Sequence, residues 1–185
     1  AVSIASGYPL LGKAPTATCP VLYVDWETDA WIHAERLQAL CKGPSPEIDL
    51  AAMQPILYRA QAAPFASSAR ALKRMATEHG VGFIVIDSRG VAAGGELERS
   101  EATLELFRAV RAMMIPCLLV DHISKEGMGN SKSKTPYGNI YAHNSSRLTW
   151  SVTKAQEAGA TRLTVALTNH KSNNGKLNGR LAYHL

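Results

Sequence analysis

Three apolar runs in this chain end in groups able to hold a metal ion or move a proton. Residues 21–27 read VLYVDWE and end in Asp25 and Glu27. Residues 82–88 read GFIVIDS and end in Asp87 and Ser88, and residues 117–122 read CLLVDH and end in Asp121 and His122. An acid closing a continuous apolar run sits at the tip of a buried strand. In open α/β sheets ligands lie beyond the carboxyl ends of the strands, so such an acid faces a site and not the core. Asp87 can orient magnesium through its water shell, because that ion takes carboxylate oxygen and keeps several waters. Glu27 can polarise an attacking water, and a strand-tip His122 can stabilise phosphate. Each group also has a plainer use: the Asp as a turn cap, Glu27 as the acid opening the next helix, His122 as a hydrogen-bonded structural residue.

The elements needed to bring these tips together follow from periodicity. The first residues, AVSIASG, read as the end of a helix closed by Gly7, which predicts that the chain is amino-terminally truncated. Helical spacing then predicts a helix over about residues 29–40 capped by Thr28, another over 65–79, and a third over about 97–114. A brief strand is predicted at 56–58 and a Gly-rich turn at 90–95. Repeated strand–helix units mean parallel strands with right-handed crossovers, hence a three-layer α/β sheet. The last third breaks the rhythm. A polar segment over about 124–137 reads as a mobile loop, and alternating segments at 147–153, 162–168 and 180–184 read as antiparallel strands added at the sheet edge. One domain over residues 1–185 accommodates all of this, without an internal repeat.

Charge divides the chain in the same place. Residues 1–121 hold 11 Lys and Arg against 13 Asp and Glu, a net of −2; residues 122–185 hold 9 against 2, a net of +7. A basic third on a near-neutral body suits a phosphate-bearing partner, nucleotide or nucleic acid, although solubilising charge has the same composition. Lys125, Lys132 and Lys134 are spaced among Gly and Ser, as suits tracking a single-strand backbone, with Tyr137 the first aromatic able to stack on a base. Cys19, Cys41 and Cys117 are odd in number and far apart, which predicts reduced thiols. The absence of a long apolar run or a signal peptide predicts a soluble, cytoplasmic chain with no membrane partner.

In combination, residues 21–27, 83–88, 118–125 and 137–147 resemble the RecA-like P-loop ATPases, and within them the DnaB-type and plasmid RepA-type hexameric helicases and their phage relatives. The likeness covers nearly the whole chain. It implies a RecA-like fold with ATP and magnesium as cofactors, single-stranded DNA as partner and a homo-oligomer, a hexamer in those relatives' manner. It further implies that Glu27 is the catalytic acid, Asp87 the magnesium acid with Ser88 beside it, and His122 the sensor of the γ-phosphate. Arg147 falls at the end of the segment following the DNA-facing loop. Residues 169–175, NHKSNNG, resemble the stretch that reaches a neighbouring subunit's nucleotide, with Lys171 as the trans-acting residue. Asn173 stands where DnaB-type proteins carry an Arg, and RepA-type relatives often read Lys-x-Asn there.

The phosphate-cradling G-x-x-x-x-G-K-[ST] is nowhere among the 185 residues, and residues 7–13, GYPLLGK, do not replace it because Pro and the spacing preclude the loop. The expected function is therefore the motor core of a nucleic-acid-dependent ATPase, a DNA helicase of phage or plasmid replication, present without its phosphate-binding loop. Three other readings fit the same residues: a RecA-like regulatory or recombination ATPase without unwinding, a metal-dependent phosphoesterase liganding through Asp25, Asp87, Asp121 and His122, and a non-catalytic DNA-binding fragment.

Overall fold

The computed structural model describes residues 1–9, 12–43, 47–95, 100–122, 140–156 and 159–184. These fall into two compact units, Ala1–His122 and Ile123–Leu185.

In the first unit, β1 (Val21–Asp25), β2 (Ile56–Ala60), β3 (Phe83–Asp87) and β4 (Cys117–Leu119) form a parallel sheet in the order β2-β1-β3-β4. The three apolar runs are thus neighbouring strands, and their tips lie at one edge. Alternation along each strand sends its residues to two faces. Leu22, Val24, Ile84 and Ile86, all fully buried, pack against α3 (Phe65–Glu78), α4 (Arg89–Ala93) and α5 (Ser100–Met113) through Phe65, Leu72, Ala92 and Leu106. Val21, Tyr23, Val85 and Phe83 face the other side, toward Ala5 of α1 (Val2–Ser6) and toward α2 (Ala30–Lys42), whose His33 lies against Tyr23. The expected three-layer α/β sheet is this sandwich. Among the described residues no helix is long and apolar enough to cross a membrane.

Two local expectations change. Residues 90–95 were expected as a turn, but Arg89–Ala93 is the short helix α4, because burial of Ala92 and Ala93 rewards a helical turn there. The glycine signal marks its end: Gly94 has φ 68°, and a Cβ on it would stand 2.1 Å from Pro64 Cγ, so neither conformation nor space admits another residue. Thr28 is not the cap of α2. Asp29 takes that place, accepting the Ile32 N–H at 3.0 Å, because the Thr28 hydroxyl is bound to Asp25 instead.

The second unit holds α6 (Ile140–Ser145), which periodicity did not reveal, and three strands, β5 (Leu148–Ala155), β6 (Thr164–Ser172) and β7 (Leu181–His184). The antiparallel strands expected at the carboxyl end are present, and they form a sheet of their own in the order β5-β6-β7. β6 runs past its expected end to Ser172 because a bulge between Thr149 and Trp150 carries its pairing on to Leu148. Asn169, buried beside that bulge, donates from Nδ2 to the Thr149 and Lys171 carbonyls at 3.0 and 2.9 Å and accepts the Asn178 N–H at 3.1 Å.

Candidate functional site

The three strand-end aspartates look alike in sequence and are put to different uses. Asp25, 1 % exposed, is saturated. Its Oδ1 accepts the Glu27 N–H at 2.9 Å, and its Oδ2 accepts the Thr28 N–H at 3.2 Å, the Thr28 hydroxyl at 2.6 Å and the Tyr58 hydroxyl at 3.0 Å, with His33 Nε2 at 2.9 Å. Burial alone would raise its pKa. The hydrogen bonds from Thr28, Glu27, Tyr58 and His33 outweigh it and bring the group down to about 2. Asp25 is therefore the knot that folds the chain after β1 back on itself.

Asp121 is committed too. Oδ2 accepts Arg89 Nε at 2.7 Å and Oδ1 accepts the His122 N–H at 3.1 Å. Burial pushes the Asp121 carboxyl up, and the adjoining guanidinium pulls it back only in part. Arg89, 2 % exposed and the largest fully buried side chain among the described residues, is not among the site residues expected from the sequence. The available signal was a cation directly after the Asp87-Ser88 tip, opposite an acid at the next tip. Its N–H also donates to the Val120 carbonyl at 2.8 Å, tying β3 to the end of β4.

Asp87 is the exception. Its Oδ2 accepts the Tyr23 hydroxyl at 2.6 Å, and among the described residues its Oδ1 accepts no hydrogen bond. Burial first, then Asp87 itself, raise the Tyr23 phenol above its ordinary range, so it remains a donor. The Asp87-Ser88 peptide is cis. Ser88, 1 % exposed, turns its hydroxyl to donate to Glu27 Oε1, and His122 Nε2 stands 3.2 Å from the same oxygen. These two contacts, Ser88 first, hold the Glu27 carboxyl below its usual range, so it stays ionised and able to accept a proton. Glu27 and His122 reach solvent at 36 % and 72 % side-chain exposure. The sheet thus brings together Glu27, Asp87, Ser88 and His122, as the sequence expected, with Tyr23 and Arg89 added.

A family model described as an AAA domain matches residues 1–128, a span containing all three strand tips. The chain belongs to this AAA family of P-loop ATPases. A nucleotide-hydrolysing, ATPase-type function comes with membership, as does use of nucleotide and, usually, magnesium. No curated protein matches the chain. The donor set of this AAA domain fits magnesium at Asp87: a carboxylate with one oxygen uncommitted among the described residues, at a half-buried strand tip. The metal-dependent phosphoesterase finds no support among the described residues. It needs Asp25, Asp87, Asp121 and His122 to converge, whereas Asp25 and Asp121 are spent on protein donors, and no group of three or more His, Cys, Asp or Glu among the described residues could hold a metal ion.

Residues of the second unit are placed as follows. Lys171 is partly buried, and its Nζ donates to the His143 and Asn144 carbonyls at 2.9 and 2.8 Å, closing the carboxyl end of α6. Asn173 is exposed and donates its main-chain N–H to the Arg147 carbonyl at 2.9 Å; Arg147 is exposed. Lys125, Lys132, Lys134 and Tyr137 lie outside the described residues. Cys41 is buried, Cys19 and Cys117 half-buried, and all three are free thiols, with Cys117 pushed up to about 12 by burial.

Two stability predictions arise here. Asp25 has its pKa depressed in the folded state, so its contribution is present above about pH 4 and lost as pH falls toward 2. Urea titrations are expected to find Asp25→Asn less stable than wild type by about 2–3 kcal/mol at pH 7, with the gap closing as pH falls through that window. Lys171→Met strips a charged donor from two carbonyls, with an expected loss of about 1.5–3 kcal/mol. Hydrogen exchange over α6 reads this locally, and protection there as in wild type would show that the cap is dispensable.

Proposed function

We propose that the chain is the motor core of a nucleic-acid-dependent ATPase, and that the motor is a DNA helicase of phage or plasmid replication related to the RepA and DnaB types. One observation carries the catalytic assignment. Of three strand-end aspartates, Asp87 alone keeps a carboxylate oxygen uncommitted among the described residues, and beside it stands the ionised Glu27 held by Ser88 and His122. Asp87 would hold magnesium through its waters, and the bound ion would supply charge neutralisation at the phosphates. Glu27 accepts the proton of the attacking water. Ser88 fixes the Glu27 carboxylate, and His122, exposed at the end of the unit, senses the γ-phosphate. Lys171 and Asn173 act on a neighbouring subunit's nucleotide in a homo-hexamer, for which Lys171 would leave the α6 carbonyls.

The basic carboxyl third supports the choice of partner. Lys125, Lys132, Lys134, Tyr137 and Arg147 track single-stranded DNA, with binding that weakens steeply as salt rises. The test uses the natural protein with whatever chain its coding sequence places before Ala1. ATP hydrolysis stimulated by single-stranded DNA and abolished in Asp87→Asn is the expected result. Hydrolysis indifferent to Asp87 overturns the assignment. Strand displacement by the same preparation separates a helicase from a regulatory or recombination ATPase, and salt-dependent DNA binding without hydrolysis marks a binding fragment.

A further inference from the structure

β1 and β3 run parallel with Tyr23 opposite Val85 and Asp25 opposite Asp87. Alternation therefore puts Tyr23, Val85 and Asp87 on one face, with Tyr23 one diagonal step behind the acid. An aliphatic residue at position 23 would end short of Asp87, whereas a phenol spans the gap. The Tyr23 hydroxyl donates to Asp87 Oδ2 at 2.6 Å, in the range of a charge-assisted O–H···O⁻ bond. The Tyr23 ring is itself held, its centroid 4.6 Å from that of His33, whose Nε2 is anchored on the saturated Asp25. Of the two adjacent acids, Asp25 thus serves as a fixed base, and Tyr23 extends that fixity to the acid next door.

We propose that Tyr23 is a positioning residue for magnesium: by engaging Oδ2 it locks the rotation of the Asp87 carboxylate and leaves Oδ1 as the oxygen presented to the ion. The proposal rests on Asp87 being the magnesium acid. Partners that orient a metal-binding carboxylate typically contribute about 10- to 100-fold in metal affinity. Without the phenol hydroxyl the carboxylate turns freely, and part of the binding free energy goes into ordering it.

The test is a manganese(II) titration followed by electron paramagnetic resonance, on the natural protein holding a non-hydrolysable ATP analogue. Wild type, Asp87→Asn, Tyr23→Phe and Tyr58→Phe are compared. Tyr58→Phe is the matched control, since it removes the same kind of hydroxyl from Asp25, the neighbouring acid. Tyr23→Phe is expected to weaken manganese binding about 10- to 100-fold at an unchanged metal-free nucleotide affinity, with Tyr58→Phe within about twofold of wild type. Wild-type manganese affinity in Tyr23→Phe, with binding lost in Asp87→Asn, overturns the role of Tyr23 alone. Equal losses in both Tyr variants also overturn it, by showing a general loosening of the fold. Wild-type manganese affinity in Asp87→Asn overturns the assignment of Asp87 and the role of Tyr23 with it.

Discussion

Glu27→Gln is expected to lower the rate of ATP hydrolysis about 100- to 10,000-fold, the range that a positioned general base contributes. Gln retains the shape of the side chain and an oxygen that can accept the Ser88 hydroxyl, so the local structure should survive. What it loses is a carboxylate that can take a proton from water. Single-turnover hydrolysis beside equilibrium nucleotide binding separates the two, with binding near wild type and the chemical step suppressed. Full hydrolysis in the variant would remove Glu27 from the mechanism. The pH profile adds a second readout. The Ser88 and His122 contacts hold Glu27 below the ordinary carboxylate range, so the acid limb of the wild-type rate should lie below that of an unperturbed Glu. Removing the Ser88 hydroxyl in Ser88→Ala should shift that limb upward.

The largest stability effect is expected from Arg89→Met. Arg89 is buried, and its removal leaves the half-buried Asp121 carboxylate without its counter-charge. Breaking one side of a buried pair typically costs about 3–5 kcal/mol. The double variant Arg89→Met/Asp121→Leu should recover most of that loss, because the cost lies in the stranded charge more than in the absent attraction. Urea midpoints at constant slope measure both effects. A single variant as stable as wild type would show that Asp121 finds another partner. Since Arg89 binds the tips of β3 and β4, the single variant should also disturb the Ser88 and His122 contacts with Glu27.

The sequence by itself determined the strand tips. Short apolar runs alternating with helical segments suit strands buried on both faces, and an acid at the end of such a run falls at the edge where ligands bind. Asp25, Glu27, Asp87, Ser88, Asp121 and His122 were therefore legible as a set, as were the parallel direction of the core strands and the antiparallel strands after them; the strand order β2-β1-β3-β4 was not. The uses of these residues were not legible. Which oxygen of an acid is committed depends on donors far away in the chain: Tyr23 reaches Asp87 across 64 positions, Tyr58 reaches Asp25 across 33, and Arg89 reaches Asp121 across 32. Hydrogen bonds of that kind leave no local periodicity, because the strand register sets them and not the spacing. Tertiary structure alone decided that three similar aspartates became a structural knot, an ion-pair partner and an acid held by one oxygen, with the other uncommitted among the described residues.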